Sequence, residues 1–157
     1  MSLIDRLVQD HAEEDVLLEK VKAIVEEGRG DGQVMELMDR FSRNLKYHIF
    51  LEEEYLFPMI AGEYIFRWNF ELMNQHVALW NLVEKIESSF RRGELEEVKK
   101  SVYLLSSLLK VHNAIEERNG IYEEIGKALK ERGGMELPSE MPKGWSPKFM
   151  TTPTSEE

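Results

Sequence analysis

The 157-residue chain contains no cysteine. That absence excludes a disulfide framework, thiolate metal sites and thiol nucleophiles. Long apolar runs are missing as well, and none reaches the roughly 20 residues that a membrane-spanning helix needs. The opening stretch "MSLIDRLVQDHAEED" turns acidic within a few residues and is not expected to be a signal peptide. Basic charge is in deficit, with 20 Lys and Arg against 30 Asp and Glu and a formal charge of −10. Such a surface repels polyanions, so no nucleic-acid or membrane partner is expected, whereas cations are drawn in. A cytoplasmic location is the resulting expectation. Strand signals are scarce, and glycine and proline gather at a few points instead of scattering.

Those points divide the chain. One helix is expected from Ser2, a good N-cap, to Gly28 in "EEGRGDG". A second should run from Asp31 or Gly32 to "PMIAG", and a third from about Tyr64 to Gly93. The fourth begins near Glu94 and continues toward "ERGG", with a bend expected at Gly120. Helices of this length with short links predict an all-α fold, an up-down-up-down antiparallel four-helix bundle over residues 1–134. Residues 135–157 carry four prolines and read as an irregular tail. Trp145 and Phe149 are expected to pin part of it, and most of the last eight residues are expected to be disordered.

Each helix shows an apolar stripe in steps of three and four: Leu7, Leu18, Val21 and Val25; Met38, Phe41, Leu45, Tyr55 and Met59; Met73, Val83, Ile86 and Phe90; Val98, Val102, Leu105 and Leu109. Each stripe has a gap, and extending it lands on a histidine. Those residues are His11, His48, His76 and His112, one per helix, with Glu52 and Glu116 one turn beyond the second and the fourth. Heights agree. At about 1.5 Å per residue, His11 and His48 lie about 25 and 23 Å from the first turn. His48 and His76 are equally far from the turn expected at Gly62, and His76 and His112 are each about 25 Å from that at Gly93. Up-down topology then places four imidazoles in one layer. The second and fourth helices also share "HIFLEE" and "HNAIEE", which suggests two helical hairpins related by a pseudo-two-fold axis.

Burying a carboxylate costs several kcal/mol unless it is paired or coordinates a cation. No lysine or arginine occupies a core position near this layer, so a metal is the expected source of positive charge. Imidazole and carboxylate donors suit iron, manganese or zinc alike. Six donors are generous for one ion and sensible for two bridged by carboxylates. Glu13, Glu14, Glu53 and Glu54 are expected to face solvent. Glu116 is favoured over its neighbour Glu117 on regular helix geometry, with Glu117 kept as the alternative.

From His11, "HIFLEEEYLFP", His76 and "HNAIEE", the chain resembles the hemerythrin-like, HHE cation-binding domains over residues 1 to about 132. The resemblance implies a non-haem di-iron centre bridged by two carboxylates and an oxo or hydroxo group, able to bind dioxygen. It implies His11 and His48 on one iron, His76 and His112 on the other, and Glu52 and Glu116 as bridges. One position departs: respiratory hemerythrins carry a fifth histidine where this chain has Trp80, which cannot ligate. A position left open favours redox turnover, reaction with peroxide or nitric oxide, or sensing. Binding or sensing of dioxygen, reactive oxygen or nitrogen species, or iron is therefore the leading expectation. A di-iron oxidase or peroxide scavenger, and a bundle merely held together by metal, are its competitors.

Overall fold

A computed structural model describes residues 2–30, 32–60 and 63–150, with the backbone alone for 63–67. Among the described residues there are five α-helices and no strand: α1 (Leu3–Glu26), α2 (Gly32–Leu51), α3 (Glu63–Arg91), α4 (Leu95–Arg118) and α5 (Ile121–Arg132). None is long and apolar enough to cross a membrane. The turn expected at Gly62, a start at Asp31 and disorder over 151–157 lie outside the described residues.

The first four helices form the antiparallel bundle, each packing on the next and α1 closing against α4. Along each of them one row of buried positions alternates by four and three. α1 buries Leu7, His11, Glu14, Leu18, Val21 and Val25, and α2 buries Val34, Met38, Phe41, Leu45 and His48. α3 follows with Leu72, His76, Leu79, Val83, Ile86 and Phe90, so Leu72 takes the place expected of Met73, which is half-buried. α4 repeats the rhythm with Val98, Val102, Leu105, Leu109, His112 and Glu116. A spacing of 3.5 residues keeps one stripe facing the bundle axis along the whole helix.

Local chemistry sets the ends. Ser2 caps α1 by accepting from the Asp5 N–H, while the Asp5 side chain accepts from the Ser2 N–H, so two orphan amides are satisfied reciprocally. The second helix does not run evenly to "PMIAG". After Leu51 it widens into a π-helical turn over Glu52–Leu56 and tightens into a 3-10 turn over Phe57–Met59. Pro58 has no N–H to continue the α ladder, and the Phe57 N–H bonds to the Glu52 carbonyl instead.

The fourth helix does not bend at Gly120; it stops. Gly120 adopts φ +86°, a left-handed conformation that side-chain-bearing residues rarely tolerate, and α5 leaves in a new direction. This short helix caps one end of the bundle. The core is consequently split: a large apolar cluster around Phe41, Val83 and Leu105 lies below the histidines. A smaller one around Leu7, Leu56, Leu72, Ile121 and Ile125 lies above them. The tail crosses α2 and α3. Trp145 sits edge-on to Phe50 at 5.4 Å and to Trp80 at 5.8 Å, and Phe149 meets Phe70 at 5.3 Å.

Candidate metal centre

Four histidines and two glutamates meet between the two apolar clusters. All six are buried, and Glu52, Glu116 and His76 are fully enclosed. The rings of His11 and His48 lie 4.9 Å apart, as do those of His76 and His112. The four Nε2 atoms point inward, toward the two carboxylates. Glu52 Oε2 is 2.9 Å from His48 Nε2, while Glu52 Oε1 is 2.9 Å from His76 Nε2. Glu116 does the same from the opposite side, with Oε1 3.1 Å from His11 Nε2 and Oε2 3.3 Å from His112 Nε2. Two groups of potential metal ligands result, His11–His48–Glu52–Glu116 and Glu52–His76–His112–Glu116. They share both carboxylates. Glu117 belongs to neither.

The imidazoles are held from behind. His11 Nδ1 donates to Glu117 at 2.6 Å, His76 Nδ1 to Glu53 at 2.7 Å, and His112 Nδ1 to the Gln75 carbonyl oxygen at 2.8 Å. Such bonds fix the ring orientation and keep the other nitrogen free to act as a ligand. His48 Nδ1 is the exception, with no hydrogen bond among the described residues and Asp10 at 3.9 Å. Phe57 lies flat on His76, 5.8 Å away at an interplanar angle of 9°.

Two of the four carboxylates expected in solvent are instead inside. Glu13 and Glu54 are exposed, but Glu14 and Glu53 are each only 1% exposed. Glu14 occupies the heptad position between His11 and Leu18, so the apparent gap in that stripe held a carboxylate as well as an imidazole. Neither of its oxygens finds a hydrogen-bond partner among the described residues. Burial pushes its pKa up to about 7, against the pull of His48 and His11. Glu53 turns inward because the π-helical turn brings successive side chains closer in direction than the about 100° of an α-helix. Its second oxygen accepts the backbone N–H of Lys148 at 2.8 Å, which ties the tail to His76 through one carboxylate.

Tyr122 went unrecognised in the sequence. Its hydroxyl enters the first group from α5 and lies 2.8 Å from Glu52 and 3.0 Å from Glu116. The break at Gly120 is the signal that could have found it. Continued as one helix, α4 would have turned residue 122 away from the face of Glu116. Trp80 packs among apolar residues with the Lys46 ammonium 4.8 Å above its ring, one turn from His76.

Electrostatics follow from this enclosure. Among the described residues, the ion pairs of Glu52 and Glu116 are all with histidines. Burial alone would lower the pKa of His48, yet Glu52, Glu14 and Glu116 override it and raise it to about 10. His112 is likewise raised to about 10, by Glu116 and Glu52 against burial. Glu52 is held well below the ordinary carboxylate range by His48, with Glu116 and His112 adding to it, although burial opposes this. Imidazolium charge thus balances the carboxylates where no lysine or arginine does.

No match to the chain was found among curated proteins or among solved structures. The family described as hemerythrin HHE cation binding domain matches residues 2–123, which span all four bundle helices and both carboxylates of the site. The chain belongs to the hemerythrin HHE cation-binding domain family.

Proposed function

We propose that the two groups hold a pair of iron ions, His11 and His48 on one, His76 and His112 on the other, with Glu52 and Glu116 bridging. The sharing of both carboxylates between two clusters carries this reading. One oxygen of each glutamate faces one histidine pair, and the other oxygen faces the second pair. The donor set fits: four borderline nitrogens and two hard carboxylates suit a first-row metal, and Glu116 Oε2 is buried with no hydrogen-bond partner among the described residues. A bound iron pair supplies reversible redox chemistry and affinity for dioxygen, nitric oxide or peroxide. The residues around it exclude water, orient the imidazoles and keep Glu52 ionised. The protein then acts as a binder or sensor of such ligands, or of iron itself.

Elemental analysis of the purified chain, with a visible spectrum before and after dithionite, tests this. About two irons per chain are expected, with charge-transfer absorption that bleaches on reduction. A chain that stays colourless in air and takes up no iron overturns it.

A second measurement addresses the supporting carboxylate. Glu53→Ala removes the acceptor of His76 Nδ1–H. Loss of such a partner costs about 10- to 100-fold in metal affinity. One metal of the two should therefore be stripped by a chelator concentration that leaves the parent chain loaded, at unchanged helical circular dichroism. Simultaneous loss of both metals would show that Glu53 does not act through His76.

A further inference from the structure

We propose that the Tyr122 hydroxyl is a protein ligand of the first metal position, alongside His11, His48, Glu52 and Glu116. The inference rests on the dimetal reading above and adds a donor to it. The hydroxyl oxygen lies 3.0 Å from His11 Nε2, 2.9 Å from His48 Nε2, 2.8 Å from Glu52 Oε2 and 3.0 Å from Glu116 Oε1. A phenol has one proton to give and two lone pairs to share, so it can satisfy three partners at most. Four at this range is one too many for a hydroxyl that only forms hydrogen bonds.

The same spacing has a direct meaning in coordination chemistry. With bonds of about 2.1 Å, as for zinc or magnesium, neighbouring ligand atoms at right angles stand about 3.0 Å apart. The four distances to the hydroxyl have that value. So do two separations between the other donors, 3.1 Å from His11 Nε2 to Glu116 Oε1 and 2.9 Å from His48 Nε2 to Glu52 Oε2. Six separations therefore match adjacent corners of one octahedron.

The phenol is also held there. Tyr122 is 3% exposed, and its helix neighbours Ile121 and Ile125 are fully buried. Its ring stacks on His11 at 5.5 Å and 25°. Withdrawing the hydroxyl would require α5 to leave the smaller apolar cluster. On binding, the phenol O–H bond is replaced by an O–metal bond, the proton passes to solvent, and no electron moves. Among the described residues the second group has no counterpart: its aromatic neighbour is Phe57, which carries no donor. The two positions are thus unequal, and the second keeps more room for an exogenous ligand.

Resonance Raman spectroscopy of the full chain, loaded with ferrous iron and oxidised in air, tests the assignment. Tyrosinate ring modes and a phenolate-to-iron(III) absorption band are expected in the parent and lost in Tyr122→Phe. Iron content is measured on the same samples. A parent chain with two irons and no tyrosinate modes overturns the ligand assignment while the dimetal reading stands, and this outcome is read without any variant. A Tyr122→Phe chain that retains both signals overturns it equally. A parent chain without iron overturns both readings.

Discussion

Glu52→Ala is expected to empty both metal positions together and to destabilise the metal-free fold by about 3–5 kcal/mol. Its two oxygens face His48 and His76 from one enclosed side chain, so a single truncation removes a donor from each group. It also leaves the Nε2 atoms of His48 and His76 without their carboxylate in a buried site, while the Tyr122 hydroxyl keeps Glu116 as its acceptor. An uncompensated buried charge costs more than the pair it came from contributes. Against a total stability of roughly 5–15 kcal/mol for a domain, that loss is a large fraction. Denaturant unfolding of the chelator-treated variant measures the stability, and metal analysis before chelation measures the occupancy. A variant that loses one metal and keeps the other would show that Glu52 serves a single ion.

Metal-free and metal-loaded protein should respond to pH in opposite directions. A group whose pKa is raised on folding stabilises below its unfolded value and stops doing so as pH climbs through its folded value. His48 and His112 are raised from 6.5 to about 10, and Glu14 from 4.5 to about 7. The metal-free fold therefore loses stability from about pH 5 upward, first through Glu14 and then through the imidazoles. Glu52, lowered on folding, acts the other way and removes stability only as pH falls below the ordinary carboxylate value of 4.5. Each pKa unit corresponds to about 1.4 kcal/mol, so even one unit expressed by each imidazole gives about 3 kcal/mol. That is on the order of 10 °C in Tm for a chain of this size. Coordination needs neutral imidazoles, so metal affinity rises with pH and the loaded form gains on the metal-free form. Melting curves of both forms between pH 5 and 9 check this. A metal-free Tm that does not fall over that range would remove the imidazolium–carboxylate account.

The heptad rhythm made most of the bundle legible. Counting 1.5 Å per residue from the turns placed His11, His48, His76 and His112 at one height, and their rings do pair at 4.9 Å. Helix geometry alone set Glu116, not Glu117, on the face where the histidines gather. The remainder was hidden for identifiable reasons. Glu14 stood in the core register, but a polar residue there read as a break in the stripe. Glu53 and Glu52 are adjacent, and only a widened turn admits both; nothing short of recognising how Pro58 disrupts the ladder would have suggested it. Tyr122 depends on a change of helix direction at Gly120, where a tolerated glycine and a terminating one look alike in sequence. Contacts between the tail and the bundle are long-range and follow no periodicity. Trp145 and Phe149 advertised themselves by size, whereas the Lys148 backbone amide had no signature at all.

That amide has a practical corollary for anyone trimming the chain. The stretch that matches the family ends at residue 123, three residues into α5. Cutting there would amputate the helix that seats Tyr122, and cutting at 134 would still strip the indole from Phe50 and Trp80 and the N–H from Glu53. The piece that keeps these contacts therefore extends to about Met150, well past the border that family likeness draws.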